Sequence, residues 1–189
     1  MLIKMRLSTT ELLHVVQVFR RIMTCTLEMS STGQKLHVGL VTNVSNTTEV
    51  REKVIKGELN CTMVRSCLVP STLVVATAAN KACLAQSRGN MKTRSINTEI
   101  LFNMSSSSNI TDSLNKFGGQ DSDTAFLVVS VDKELIEAKD VIKGDWIDTK
   151  NLIDYVNRDL LIKLHKLKSE ELYDLTGALC SRISAKDSL

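Results

Sequence analysis

Apolar and polar residues alternate in some stretches of this chain and recur at helical spacing in others. The alternation over residues 35–41 and 96–102 predicts two strands. The almost uninterrupted apolar run over 125–131 is typical of a strand that is covered on both faces. Residues 62–69 form a shorter segment that fits either a strand or a turn. These segments predict a small central sheet.

Helical spacing and capping residues predict the remaining elements. Ser71 or Thr72 is a good N-cap for a long helix rich in Leu, Val and Ala, and Gly57 can end an earlier helix in the left-handed conformation. We therefore predict an α/β protein with a single domain, a small mixed central sheet surrounded by helices, and a helical C-terminus. The predicted helices span 46–57, 72–87, 109–118, 133–143 and, with breaks, 148–183.

The first 31 residues have a different character. Thr10 can cap a helix that places Leu12, Val16 and Phe19 on one face, as in an amphipathic presequence or a partner-binding helix. The segment lacks the apolar core and cleavage site of a signal peptide. We interpret residues 1–31 as an N-terminal extension and residues 32–189 as the α/β domain.

Scarce residue types exclude several classes of site. The chain has three His, eight Gly and seven aromatic residues, which argues against His-built metal centres, phosphate-binding glycine loops and rows of base-stacking rings. Its five cysteines are odd in number and contain no Cys-x-x-Cys pair, so we interpret them as reduced thiols of a cytoplasmic or nuclear protein. We expect no cofactor, no metal and no membrane segment, and no catalytic motif is found.

Charge is distributed less evenly than the net value of +3 suggests. No acidic residue lies between Glu58 and Glu99, and several cations of that stretch cluster around residues 88–94. Cations on a loop beside a helix end can neutralise phosphates, so the stretch is a candidate nucleic-acid interface. The alternative is a basic surface that pairs with acidic helices elsewhere. The cations of the stretch are Arg65, Lys81, Arg88, Lys92 and Arg94.

Four short segments around this stretch carry a family resemblance: Ala79-Asn80-Lys81-Ala82, Met91 to Ile100 (MKTRSINTEI), Asn109 to Leu114 (NITDSL) and Lys116-Phe117-Gly118. In order and spacing they resemble the PRPK-binding protein family (TPRKB-like), the kinase-binding subunits of the KEOPS/EKC complex. The resemblance covers about residues 34–189, so the N-terminal extension is non-homologous to that family. Asn90 is a departure, because the family often has Lys there.

The resemblance implies a non-catalytic adaptor. Such a subunit binds a PRPK-like kinase directly, contacts the catalytic subunit of the complex indirectly through that kinase, and binds the 3′ CCA end of tRNA. It supports threonylcarbamoyladenosine modification of tRNA in the cytoplasm and nucleus, without a cofactor. Two other functions stay open: a free-standing RNA-binding protein, and an enzyme that uses a thiol such as Cys83, whose pKa flanking cations would lower.

Site residues follow from the resemblance and the charge pattern together. Asn80 and Asn97 have an alternative role as capping residues, and the leucines and isoleucine of the last helix have an alternative role in the protein's own core. The outward face of the 72–87 helix is a second candidate for the kinase contact. The predicted tRNA-binding residues are Asn80, Lys81, Arg88, Lys92, Thr93 and Arg94, and the predicted kinase-interface residues are Leu175, Leu179 and Ile183.

Overall fold

An antiparallel sheet forms the centre of the protein. The computed structural model describes residues 23–29 and 31–186. Within them the strand order is β1-β2-β4-β3, and β5 pairs with the end of β2 beyond its contact with β1. The α/β class is confirmed, while the sheet, which we expected to be mixed, has only antiparallel pairs in this part of the chain. The strands are β1 (Thr24–Glu28), β2 (Lys35–Thr42), β3 (Thr62–Arg65), β4 (Phe126–Val131) and β5 (Asp145–Ile147).

Helices cover both faces of this sheet. Three 3-10 segments, Ser66–Leu68, Thr149–Tyr155 and Ser169–Tyr173, connect some of them, and the helical C-terminus is confirmed. The α-helices are α1 (Thr47–Lys56), α2 (Thr72–Ser87), α3 (Ile96–Met104), α4 (Ile110–Phe117), α5 (Ile136–Val141), α6 (Arg158–His165) and α7 (Leu175–Ala185).

Strand β4 shows how the two hydrophobic cores are divided. Leu127 and Val129 belong to the larger core, with α2, α3 and α7, whereas Phe126 and Val128 belong to the smaller core, with α1 and α5. Successive side chains of a strand point to opposite faces, so a central strand between two helical layers must be apolar at every position. This confirms the interpretation of the apolar run at 125–131.

The strand predicted over residues 96–102 is wrong, because this segment is helix α3. The Ser95 side chain accepts a hydrogen bond from the backbone N–H of Thr98, and the Thr98 hydroxyl accepts one from the Ser95 N–H, which completes a capping box. The buried residues Glu99, Ile100 and Asn103 then follow helical spacing. The alternating Ile and Thr residues therefore do not indicate a strand. The N-cap residue Ser95 is the local sequence feature that indicates a helix here.

The other predicted helices agree with the structure in place, although not always in length. Helix α2 begins after Ser71, whose hydroxyl accepts from the Leu73 N–H, and α1 ends at Gly57 with φ of 76°. Helix α4 begins after Asn109, as predicted. The helix predicted over 133–143 is shorter, at Ile136–Val141. Among the described helices, none has the length and hydrophobicity that crossing a membrane requires.

The N-terminal region begins to be described at residue 23. The amphipathic helix predicted before that point lies outside the described residues. Strand β1 falls within the range that we assigned to the extension, and it pairs with β2 along its whole length, so the sheet uses residues from that range. The boundary between a non-homologous extension and the domain stays a prediction.

Candidate nucleic-acid interface

Three of the five cations of the acid-free stretch lie on the loop that joins α2 to α3, residues 88–95, which we call the basic loop. Arg88, Lys92 and Arg94 are exposed on it. Within the described residues none of these three side chains forms an ion pair. Arg65 differs, because its guanidinium lies 3.2 Å from the carboxylate of Asp123. The basic loop therefore presents three positive charges that water alone screens.

A buried carboxylate holds the basic loop in shape. Glu99, on the first turn of α3, is only 2% exposed and accepts hydrogen bonds from the Thr93 N–H and the Thr93 hydroxyl, both at 2.7 Å. It also accepts from the Lys92 N–H at 3.2 Å. Two of these three bonds therefore come from backbone N–H groups of the loop. The side chains of Lys92 and Arg94 are exposed, while the loop backbone between them is held at Lys92 and Thr93.

Glu99 gives the first testable prediction. Replacing Glu99 with Ala removes three acceptor contacts and leaves two loop N–H groups without their partner. We expect the free energy of unfolding to fall by about 2 kcal/mol, measured by urea denaturation. The amides of Lys92 and Thr93 should also exchange faster with solvent, whereas amides of β4 should not. An unchanged unfolding midpoint together with unchanged exchange at Thr93 would show that Glu99 does not organise the basic loop.

A small polar cavity of about 260 Å³ opens beside the basic loop. It joins the second half of α2, the basic loop and α3. Two of its side chains are lysines, and buried Glu99 forms part of its wall, so the cavity combines donors and acceptors. Asn103 is fixed there, since its side-chain amide donates to the Ala78 carbonyl at 3.3 Å. The lining residues are Lys81, Ala85, Asn90, Lys92, Glu99 and Asn103.

Some predicted site residues have structural partners. The Lys81 ammonium donates to the Ile183 carbonyl at 2.8 Å and to the Ser184 carbonyl at 3.4 Å, which stabilises the C-terminal turn of α7. The Asn80 side-chain carbonyl accepts from the Ser31 hydroxyl. Thr93 uses its hydroxyl towards Glu99. The structure thus brings Lys81 and Lys92 to one cavity and leaves Arg88, Lys92 and Arg94 as exposed cations.

Asn97 has a structural role, but it is not the capping role that we left open. Its side-chain amide donates to Asn60 at 2.9 Å, and its side-chain carbonyl accepts from the Thr62 hydroxyl at 3.2 Å. Asn97 therefore ties α3 to the start of β3.

Sequence reasoning missed Glu99 and Asn103 as parts of this site. Glu99 stands directly after the basic stretch, where it marks only the end of the acid-free region. Recognising Ser95 as an N-cap would have placed Glu99 in the first helical turn below the basic loop, and Asn103 one turn further along. Their burial is a tertiary feature, and the sequence carries no direct signal for it.

The predicted kinase-interface residues of α7 lie inside the protein. Leu175, Leu179 and Ile183 are 8%, 1% and 2% exposed, and the last two belong to the larger core. Core packing, the alternative left open for them, is what the structure shows, because these side chains form the stripe with which α7 packs against α2. The outward face of α2 does present an apolar side chain, since Leu73 is 55% exposed. The kinase contact itself stays a prediction.

The buried thiols of Cys83 and Cys61 do not have the surroundings of a nucleophile. Burial raises the pKa of Cys83 to about 11, and the charge of Asp132 adds to the rise. Burial likewise raises the pKa of Cys61 to about 12. The thiol-enzyme alternative expects a lowered pKa at Cys83, so the shift has the opposite direction. In the described part of the chain, no cluster of three or more His, Cys, Asp or Glu side chains is arranged to hold a metal ion.

The fold and this surface define a class of protein: a small α/β domain with a basic loop beside a polar cavity. The family of that domain is shown by comparison with known proteins. Residues 41–187 match the family described as kinase binding protein CGI-121, and the chain belongs to that family. The resemblance to kinase-binding subunits that we saw in the sequence is thereby confirmed.

Individual relatives extend over most of the chain. The EKC/KEOPS complex subunit TPRKB of Danio rerio is 32% identical over 155 residues, which cover 78% of this chain and 89% of that protein. The EKC/KEOPS complex subunit CGI121 of Kluyveromyces lactis is 32% identical over 116 residues, covering 59% and 73%. The subunit of the same name from Eremothecium gossypii is 28% identical over 166 residues, covering 80% and 92%.

Proposed function

We propose that this chain is a non-catalytic adaptor subunit of an EKC/KEOPS complex. It binds a PRPK-like kinase directly, reaches the catalytic subunit through that kinase, and supports threonylcarbamoyladenosine modification of tRNA in the cytoplasm and nucleus. Membership of the kinase-binding CGI-121 family is the single observation that carries this proposal. The printed names of the relatives, which are EKC/KEOPS subunits, support the choice of complex.

The proposal includes binding of the single-stranded 3′ CCA end of tRNA at the basic loop. Arg88, Lys92 and Arg94 are exposed and supply positive charge for backbone phosphates, as sequence-independent RNA contacts require. Glu99 fixes the loop backbone at Lys92 and Thr93, so the loop loses little conformational entropy when it binds. These features support an RNA contact that is formed in advance.

The cavity beside the basic loop suits one unpaired base. Its volume of about 260 Å³ lies just below the usual range for small-molecule sites, roughly 300–1,000 Å³, so it admits a single nucleoside rather than a folded RNA element. Single-stranded RNA is read through the edges of unstacked bases, which need both donors and acceptors. Asn90, Glu99 and Asn103 supply polar atoms of both kinds. We expect the terminal nucleoside to enter here while the phosphates before it contact the basic loop.

The kinase contact is proposed on the outward face of α2. Specific interfaces need apolar anchors that are accessible before binding, and Leu73 is one. Replacing Leu73 with Glu should weaken binding of the purified kinase at least tenfold in a titration followed by calorimetry, because a charge would enter the apolar centre of the interface. Ile55→Glu is the matched control: Ile55 is 69% exposed on α1, which packs on the opposite face of the sheet. Equal affinities of the two variants would remove α2 from the interface.

Co-purification with the kinase tests the function as a whole. A stable one-to-one complex is the expected result. A chain that binds RNA but forms no complex with the kinase would favour the free-standing RNA-binding alternative instead.

A further inference from the structure

Among the described edge strands, β1 offers the most backbone for pairing with a further strand. The outer edge of β3 is covered, because the Gly119 N–H donates to the Met63 carbonyl at 3.1 Å and Val64 forms an antiparallel bridge with Gly118. Strand β5 is only three residues long. Strand β1 has five residues without Pro or Lys, and among the described strands it pairs with β2 alone. Edges of this kind pair readily with another strand.

The hydrogen-bond register shows which backbone groups of β1 point outwards. The Asp132 N–H donates to the Lys35 carbonyl at 2.7 Å, so the backbone groups of Lys35 face β4. In an antiparallel strand, the backbone groups of successive residues point alternately to one side and the other. The backbone groups of Leu36 therefore face β1, where Leu36 pairs with Leu27. The bond from the Met29 N–H to the Gln34 carbonyl, at 2.9 Å, agrees with this alternation. The backbone groups of Thr26 and Glu28 consequently point away from β2.

This edge is complementary to itself. When two copies of β1 pair in an antiparallel manner around Thr26, the Thr26 N–H of each donates to the Thr26 carbonyl of the other. In the same register, Glu28 of one copy stands opposite Thr24 of the second copy on the same face of the sheet. The Lys139 ammonium is already there, since it donates to the Thr24 hydroxyl at 2.7 Å. Two symmetric contacts between Glu28 and Lys139 would therefore form.

The opposite face of β1 agrees with this register. Cys25 and Leu27 are partly buried against the larger core. In the dimer, Cys25 of each copy would lie opposite Leu27 of the second copy. On one face of the joined sheet, Glu28 of each copy would thus contact the oppositely charged Lys139 of the other copy. On the other face, apolar side chains would contact each other. We propose that β1 is a self-association site, through which two copies of this chain join their sheets into one.

The proposal is tested with the full-length chain and charge-swap variants. Sedimentation velocity over a range of protein concentrations should show a reversible dimer. Glu28→Lys alone, or Lys139→Glu alone, should weaken the dimer about tenfold, because both symmetric contacts become repulsive. The double variant should restore most of the affinity. A chain that stays monomeric at all concentrations would overturn the proposal, and so would failure of the double variant to recover.

A backbone variant keeps the test independent of those side chains. Thr26→Pro removes the central outward N–H, and proline is tolerated at a sheet edge when that N–H is not used within the fold. This variant loses the hydrogen bond between the Thr26 hydroxyl and His37 Nδ1, at 3.2 Å, so it should melt slightly below the wild type, and it should remain monomeric. In the wild type, the Thr26 amide should exchange more slowly as concentration rises, while the Cys25 amide, which bonds to β2, should not change. A dimer that persists in Thr26→Pro would place the interface elsewhere and refute the proposal.

Discussion

Replacing Lys92 and Arg94 together with glutamate is expected to weaken tRNA binding at least tenfold at physiological salt. Both side chains are exposed and unpaired in the described structure, and each lost phosphate contact on a single strand lowers the salt slope by about 0.7. The slope of log K against log salt should therefore become shallower by about 1.4. Filter binding at several salt concentrations measures both quantities.

The fold should tolerate this double substitution. Glu99 holds the basic loop through the backbone N–H groups of Lys92 and Thr93, and the substituted side chains take no part in those bonds. Lys56→Glu/Lys150→Glu is the matched control, because it changes the net charge equally at exposed positions outside the basic loop. A tRNA that lacks its 3′ CCA should bind the wild type as weakly as intact tRNA binds the variant. An unchanged tRNA affinity in Lys92→Glu/Arg94→Glu would show that the basic loop is not the tRNA-binding site.

Acid is expected to destabilise the fold through one buried histidine. His165 is 4% exposed on α6, its ring packs edge-on against Phe117, and its Nδ1 has no hydrogen-bond partner among the described residues. Burial lowers the pKa of His165 to about 4, and the positive charge of Arg182 acts in the same direction. In the unfolded chain a histidine has a pKa of about 6.5, so the unfolded state binds the proton more tightly.

The sign of the pH dependence follows from these two values. The full contribution to stability is present above pH 6.5 and is lost as the pH falls from 6.5 towards 4. Linkage gives a loss of about 2 kcal/mol between pH 7.5 and pH 5, measurable by urea denaturation at the two values. His165→Phe should remove most of that loss. An equal loss in wild type and His165→Phe would mean that another group controls the acid response.

Local sequence patterns correctly predicted the elements whose surroundings, apolar or helical, stay the same from one end to the other. Strand β4 is apolar at every position except Ser130 because helices cover both its faces, and α2 has a serine cap and a continuous run of helix formers. Helix α3 was mistaken for a strand because Ile96, Ile100 and Phe102 also fit an alternating pattern. Strand β1 was missed because its five residues alternate only weakly and are defined by pairing with β2.

The candidate site was predictable in its charges but not in its geometry. Lys92 and Arg94 stand out because the sequence around them contains no acid, and the structure exposes both. Nothing in the sequence shows that Thr93 turns its hydroxyl inwards to Glu99 or that Lys81 binds the last turn of α7, since these contacts join residues that the fold brings together. The leucine stripe of α7 is ambiguous in sequence, because a core face and an interface face have the same spacing.

The central claim is that one small domain holds a kinase and a tRNA end at the same time, through different surfaces. Sedimentation velocity on a mixture of this chain, the kinase and a labelled tRNA tests it most directly. We expect a single species that holds the three components in equal numbers, which Leu73→Glu reduces to chain plus tRNA and Lys92→Glu/Arg94→Glu reduces to chain plus kinase. Displacement of the kinase by tRNA, or a chain that binds neither, would contradict the account.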